Sequence, residues 1–182
     1  MSAYYKKIEI DHLDAIQTKC LEYIKTQKEI YLQKPVGSFR FLNFQELTSY
    51  CPELLTAFDR YGLTCTYAIA FIMYSNSDVV PHIDDKDIIQ ARINIPLENY
   101  KNTFTMFFEG GTPTLYINHN TGISTTLYKG PGLRVVDKVE INQPTVIRIK
   151  APHSVQMDDT HTPRVTLTLG FNRDPVFLLD NL

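Results

Sequence analysis

From Thr64 onward the chain is a succession of short β-rich segments broken by turn signals, and this alternation limits the fold more than any other feature. The expected strands are Thr64–Tyr74, Ile88–Leu97, Thr103–Glu109, Thr114–Asn118, Ser124–Tyr128, Leu133–Ile141, Thr145–Lys150 and Arg164–Phe171. Between them lie SNSD, ENYKN, EGGTP, NHNTG, KGPG and DDTHTP, clusters of residues that end strands and reverse the chain. Short strands at this spacing are the signature of an all-β sandwich or barrel.

The first third has a different period. Ile10, Leu13, Ile16, Cys20 and Ile24 recur at three- and four-residue steps, which predicts an amphipathic helix over Asp11–Tyr31, stopped by Pro35 and Gly37. SFRFLNF is strand-like. Asn43 followed by Glu46 has the form of an N-cap with its capping-box partner and opens a second helical region. Leu47, Leu54, Leu55 and Phe58 form its expected buried stripe, Pro52 divides it into two short helices, and Gly62 caps it. The expected arrangement is one domain. A helical region, 1–62, flanks a β core, 63–173, followed by a C-terminal tail, 174–182, with no internal repeat, low-complexity tract or linker.

Composition excludes several partner classes. A chain of 182 residues, 43% apolar, is long enough to bury a full core. Its 18 basic and 20 acidic residues are well mixed, so no electrostatic footprint for nucleic acid is present. Cys20, Cys51 and Cys65 are odd in number, widely spaced and set among apolar neighbours, as expected of reduced buried thiols in a cytoplasmic protein. No apolar run approaches the roughly 20 residues of a membrane span, and MSAYYKKIEI lacks a secretory apolar region. The oligomeric state has no signature in the sequence.

Within the β-rich part, His82-Ile83-Asp84 places an imidazole and a carboxylate on the same face of an extended chain, because side chains alternate across a strand. That pair can close on one metal ion. A turn at His82 could bring in Asp85 instead, but the two-residue spacing favours Asp84. A second histidine, His153, follows another β-rich run, PTVIRIKAPHSV, and would complete a two-histidine, one-carboxylate triad. Such a set leaves neighbouring coordination positions open, as in non-haem Fe(II) oxygenases. His12, His119 and His161 lie in polar settings and are not expected to bind metal.

Parity gives the surroundings. Arg92 and Asn94 share one strand face, with Ile93, Ile95 and Leu97 on the other; Arg164, Thr166 and Thr168 alternate in the same way with Val165, Leu167 and Leu169. Buried arginines persist only when paired, so a barrel whose inner face carries them together with a metal triad is a cavity for an anion. The planar fork of Arg164 matches a carboxylate, and the Thr166 hydroxyl two residues on can add a third hydrogen bond. Arg148 could face the same cavity or solvent, whereas Tyr67, Met73 and Tyr74 read more readily as core than as substrate contacts. SNSDVV before His82 and EGGTPTLYINHNTG after Glu109 are candidate lids.

His82-x-Asp84, then His153 and Arg164-x-Thr166, resembles the 2-oxoglutarate and Fe(II)-dependent dioxygenases, over roughly Tyr67 to Phe171. Arg92-Ile-Asn-Ile-Pro-Leu, followed by Pro-His-Ser-Val and the late arginine, is similar to the aspartyl/asparaginyl β-hydroxylase-like branch, which also holds amino-acid hydroxylases and uncharacterised bacterial and phage proteins. The resemblance implies a mainly β double-stranded β-helix, a jelly-roll or cupin-like barrel, with flanking N-terminal α-helices. It implies Fe(II) on His82, Asp84 and His153. The distal carboxylate of 2-oxoglutarate would lie on Arg164 and Thr166, with Arg92 and Asn94 near that cosubstrate, and O2 would be the oxidant. Asn94 departs from the histidine common in that branch, and Asp84 departs from aspartyl/asparaginyl hydroxylase proper, which lacks the carboxylate. Hydroxylation of an amino acid or a peptide residue, with succinate and CO2 as coproducts, is the implied activity. Two rivals stay open at the level of sequence: a metal-dependent cupin enzyme that uses no oxo-acid, and a jelly-roll binding module without catalysis.

Overall fold

Two antiparallel sheets of six strands each face one another around a polar interior. The structure, a computed structural model, describes residues 2–27, 38–74, 80–84, 88–117, 124–157 and 163–180. The first sheet has the order β1 (Tyr5–Lys7), β10 (Thr145–Arg148), β5 (Ala91–Glu98), β12 (Arg164–Phe171), β3 (Cys65–Met73) and β2 (Ser38–Phe41). The second has the order β7 (Thr112–Ile117), β8 (Ser124–Lys129), β4 (His82–Asp84), β11 (His153–Met157), β6 (Thr103–Glu109) and β9 (Arg134–Glu140). Chain-adjacent strands repeatedly cross between the sheets: β3 leads to β4, β4 to β5, β5 to β6 and β10 to β11. This winding is the double-stranded β-helix, a jelly-roll barrel, with α-helices flanking it at the N-terminal side.

Helix α1 (Leu13–Thr26) buries Ile16, Cys20, Tyr23 and Ile24, the stripe expected from its period. It starts two residues after Asp11 and ends at Thr26, and residues 28–31 of the expected span lie outside the described residues. His12 adopts a left-handed conformation at its start, and the Gln27 N–H bonds to the Ile24 carbonyl just past its end. Pro35 and Gly37 lie outside the described residues. Helix α2 (Phe44–Tyr50) begins as predicted, with the Asn43 side chain accepting the Glu46 N–H at 3.4 Å and its amide donating to the Glu46 carboxylate at 2.8 Å. Pro52 then opens a separate 3₁₀ turn, Pro52–Leu55, and a second such turn, Asp59–Tyr61, ends on Gly62 in the left-handed region at φ 62°.

One member of the expected stripe is misplaced. Leu47, Leu54 and Phe58 are buried, whereas Leu55 is 48% exposed. With about three residues per 3₁₀ turn, adjacent Leu54 and Leu55 point to different sides and only one reaches the core.

The larger hydrophobic core lies outside the barrel, between the helices and the outer face of the first sheet. Ile93, Ile95 and Leu97 of β5 and Val165, Leu167 and Leu169 of β12 point outward onto Ile16, Cys20, Ile24, Leu47, Leu54 and Phe58. The alternating residues of these strands therefore face inward, among them the polar Arg92 and Asn94 of β5 and Arg164, Thr166 and Thr168 of β12. A smaller cluster of Phe107, Val139, Ile141, Ile147, Ile149 and Ala151 plugs one edge of the barrel. There the rings of Tyr4 and Tyr5 stack on Phe107 with centroids 5.0 and 6.0 Å away.

Four of the twelve described strands, β1, β2, β4 and β11, are additions to the eight expected from the β-rich runs, although SFRFLNF, His82-Ile-Asp84 and PHSV had been read as extended. Residues 174 to 180 are also ordered. The Asp174 carboxylate accepts the N–H groups of Gln90, Ala91 and Val176, and helix α3 (Phe177–Asp180) buries Leu178 and Leu179 against the larger core. The lid expected in EGGTPTLYINHNTG is mostly strand β7 and a tight glycine turn at Gly110 and Gly111; residues 118–122, and 75–79 of SNSDVV, lie outside the described residues.

Candidate metal centre

β4 and β11 pair at a single register point, His82 opposite His153, and this brings the two imidazoles from distant segments onto one inner face. Their ring centroids are 4.7 Å apart. Asp84, two residues along β4, shares that face, with its Oδ1 3.8 Å from His82 Nε2. One ligand atom from each of His82, Asp84 and His153 lies within 4.8 Å of the others. Donors around a single cation with bonds of about 2 Å span at most about 4 Å, so small rotamer movements close all three onto one ion. Asp85, His119 and His161 lie outside the described residues, and His12 is exposed at the start of α1.

The shell behind the ligands is built for this. His82 Nδ1 bonds to the Val80 carbonyl and His153 Nδ1 to the Ala151 carbonyl, each at 2.9 Å. A carbonyl only accepts, so each Nδ1 carries the proton and each Nε2 lone pair is left for a cation. Burial, and then the neighbouring His82, push His153 down to about 4, which keeps its imidazole neutral, the ligating form. Asp84 is held from behind: its N–H donates to the Ile149 carbonyl at 3.3 Å and its own carbonyl accepts from the Lys150 ammonium.

A cavity of about 150 Å³ opens beside the triad, between the two sheets. Arg92, Asn94, Arg164 and Thr168 line it from the first sheet, together with Phe39 and Phe71. Strand parity places Arg92, Asn94, Arg164 and Thr168 on the polar faces of their strands, and the register agrees: Asn94 stands opposite Thr168, and Arg92 opposite Ile147. Arg164 is 2% exposed, and its Nε and Nη1 have no hydrogen-bond partner among the described residues. Burial alone lowers its pKa to about 10, still far enough above neutrality to leave it charged. Its guanidinium carbon lies 6.0 Å from the centroid of the Phe71 ring. The Asn94 Oδ1 and Thr166 Oγ1 atoms are likewise buried without a partner among the described residues.

Thr166 sits beside Arg164 on the inner face but does not line the cavity; Thr168, one pleat further along, does. Arg148 faces away, its Nη2 3.1 Å from the Asp180 carboxylate and its Nε 3.0 Å from the Ala3 carbonyl. Met73 is fully buried and Tyr74 packs on the larger core. The sequence did not mark Phe39, Phe71, Thr105 or Val155 as cavity residues. Strand parity carried the signal for Phe71, which stands opposite Thr166, but nothing in the local sequence distinguishes an apolar cavity wall from core.

The donor set is suited to a first-row metal, and the guanidinium, with Nε and Nη1 unpartnered among the described residues, to a carboxylate. No family model matches the sequence, and no curated protein matches it. Solved structures do. A Pseudomonas putida prolyl-4-hydroxylase is similar at 13% identity and a TM-score of 0.51, covering 93% of this chain and 92% of that one. ThoJ, described as a non-heme monooxygenase, is similar at 15% identity and a TM-score of 0.51, covering 91% and 72%. The Escherichia coli protein ycfD matches at 8% identity and a TM-score of 0.43, over 78% of this chain, which spans only 35% of ycfD. The first two likenesses show the fold: this chain is built on the same barrel as those proteins.

Proposed function

We propose that the protein is a non-haem Fe(II) and 2-oxoglutarate-dependent oxygenase of the cytoplasm, hydroxylating an amino acid or a residue in a peptide and releasing succinate and CO2. The observation that carries this is the placement of a buried guanidinium, without hydrogen-bond partners on Nε and Nη1 among the described residues, in the same small cavity as a His-Asp-His triad. A charge so placed is costly unless an anion meets it. The two barrel neighbours are described as a hydroxylase and a non-heme monooxygenase, which agrees with this chemistry.

His82, Asp84 and His153 would hold the iron, with the Val80 and Ala151 carbonyls fixing the imidazole orientation. Arg164 would bind the distal carboxylate of 2-oxoglutarate through its fork, and Thr168, which lines the cavity on the same strand face, would add a hydroxyl donor in place of Thr166. Arg92 and Asn94 would flank the cosubstrate from β5. When bound, iron with 2-oxoglutarate and O2 supplies the oxidising power for an unactivated C–H bond. The protein orients the two small molecules and keeps water from the triad, which the half-buried His82 and His153 already restrict.

Anaerobic titration of the Fe(II) protein with 2-oxoglutarate tests this directly. A metal-to-ligand charge-transfer absorption is expected, and its absence overturns the proposal. Arg164→Leu is expected to weaken 2-oxoglutarate far more than Fe(II), and equal loss of both would remove Arg164 from the cosubstrate site.

A further inference from the structure

The cavity beside the triad is too small for everything the proposed reaction must bring together. About 150 Å³ is the size of an engineered cavity that accepts a single benzene-sized molecule, and pockets that enclose whole drug-sized ligands begin near 300 Å³. One small dicarboxylic acid on Arg164 fills it. The molecule to be oxidised must then lie at the mouth and send only its reacting end toward the triad.

The mouth has a distinct chemistry. One edge of the barrel is plugged by Tyr4, Tyr5 and Phe107. On the first sheet's other edge, the register pairs Phe39 with Phe71 and Phe41 with Ile69, and β3 in turn pairs Phe71 with Thr166 and Ile69 with Thr168. Phe39 and Phe41 therefore share the inner face with the cavity residues, yet they are 53% and 70% exposed. Phe39 stacks on Phe71 at 4.5 Å and 21°, and Phe71 in turn stands beside the Arg164 guanidinium. Phe41 leans on Tyr67 at 6.1 Å. The result is a wall of rings running from the buried arginine to solvent. The charged groups lining the cavity are Asp84, Arg92 and Arg164, with the two histidines. None is on the inner face of β2 or β3.

Resting on the oxygenase reading above, we infer that the substrate carries an uncharged planar ring beside its reacting end, and that this ring stacks on Phe39 and Phe41 at the mouth while 2-oxoglutarate occupies the cavity behind it. A ring laid on Phe39 continues the stack already formed by Phe71, at the offset-parallel spacing such pairs adopt. Among the described residues the inner face of β2 and β3 carries no charge, so a charged end group would lose its hydration on this wall without an ion-pair partner there.

The chain contains no tryptophan, so the emission of an indole probe is read without background. N-acetyltryptophanamide, titrated with the anaerobic Fe(II) protein in the presence of 2-oxoglutarate, is expected to bind with a blue shift. It should be displaced by N-acetylphenylalaninamide and not by the amides of N-acetylaspartate or N-acetyllysine. The variant Phe41→Ala, whose ring lies outside the cavity lining, is expected to bind the probe about tenfold more weakly with 2-oxoglutarate binding unchanged, and the double variant Phe39→Ala, Phe41→Ala to bind the probe more weakly still. Phe39→Leu, which keeps the bulk and removes the ring, gives the same readout should the double variant not fold. Equal displacement by the charged amides, or wild-type probe affinity in these variants, overturns the inference. Indole binding that persists in a protein failing to bind 2-oxoglutarate would sink the oxygenase reading and leave the ring site standing.

Discussion

His82 and His153 face each other across the β4 and β11 pair and are held by the same local device: each Nδ1 donates to the carbonyl two residues before it, Val80 in one case and Ala151 in the other, both at 2.9 Å. The chain thus uses one backbone geometry twice to aim two Nε2 atoms at a common point. Asp84 joins them from the next inward position of β4.

Metal binding follows from that geometry. The wild type is expected to bind one Fe(II) per chain, and a saturating metal at a hundredfold excess over its Kd raises the unfolding free energy by about 2.7 kcal/mol. His153→Ala or Asp84→Ala should abolish this stabilisation, measured by thermal unfolding with and without Fe(II) under argon. An unchanged metal-dependent shift in both variants would show that the ion binds elsewhere.

Arg164 sets function against stability. Its guanidinium is buried with Nε and Nη1 unpartnered among the described residues, so replacing it by the similarly sized, apolar Met removes a desolvation penalty. Arg164→Met is expected to stabilise the protein without metal or cosubstrate by about 1 to 3 kcal/mol in urea unfolding, while losing 2-oxoglutarate binding. A marked destabilisation would instead make Arg164 a structural residue.

The barrel and its triad were legible in the sequence because both rest on local rules. Turn clusters mark the strand ends, and strand parity sorts Arg92, Asn94, Arg164 and Thr166 from the outward-facing Ile93, Ile95, Val165 and Leu167. What stayed hidden depends on tertiary context. β1 is three residues long and exists because Tyr5 pairs with Ile147 from far along the chain, and β11, HSVQM, separates from the run before it only through its pairing with β4 and β6 in the other sheet. Phe39 and Phe71 look like core residues from their neighbours alone. Only the sheet register shows that they wall a cavity.

The same limit separates two adjacent leucines. Leu54 is fully buried and Leu55 half exposed in one 3₁₀ turn. Leu54→Ala is expected to destabilise by about 2 to 5 kcal/mol through lost transfer energy and a cavity, whereas Leu55→Ala should change stability by less than about 0.5 kcal/mol. Chemical denaturation of the two variants distinguishes them, and similar costs would mean that the turn packs differently.

Acid should loosen the helical layer. The Glu53 carboxyl is held below its usual value of 4.5, first by the Lys19 ammonium at 2.5 Å, which ties the 3₁₀ turn to α1. A carboxylate with a depressed folded pKa contributes stability above the unfolded value, and that contribution is lost as pH falls through the folded value. Glu53→Gln is therefore expected to lower stability at pH 7 and to flatten the acid limb of the stability curve below about pH 4.5. Identical acid limbs for variant and wild type would leave the pair without a role in stability.

Gly170 stands opposite Tyr67 in the pairing of β12 with β3, and a Cβ placed there would lie 2.0 Å from the tyrosine ring. The clash is with the body of the ring, so the ring must move. Gly170→Ala is expected to destabilise by about 1 to 3 kcal/mol, as overpacking of a fitted site does. Tyr67→Ala in the same background should recover part of that loss, because the two substitutions are coupled through one contact. Tyr67 is also the ring on which Phe41 leans, at 6.1 Å, so displacing it should weaken indole binding at the barrel mouth while leaving Fe(II) binding intact. If Gly170→Ala is destabilising with indole affinity unchanged, Tyr67 supports the sheet and not the wall of rings.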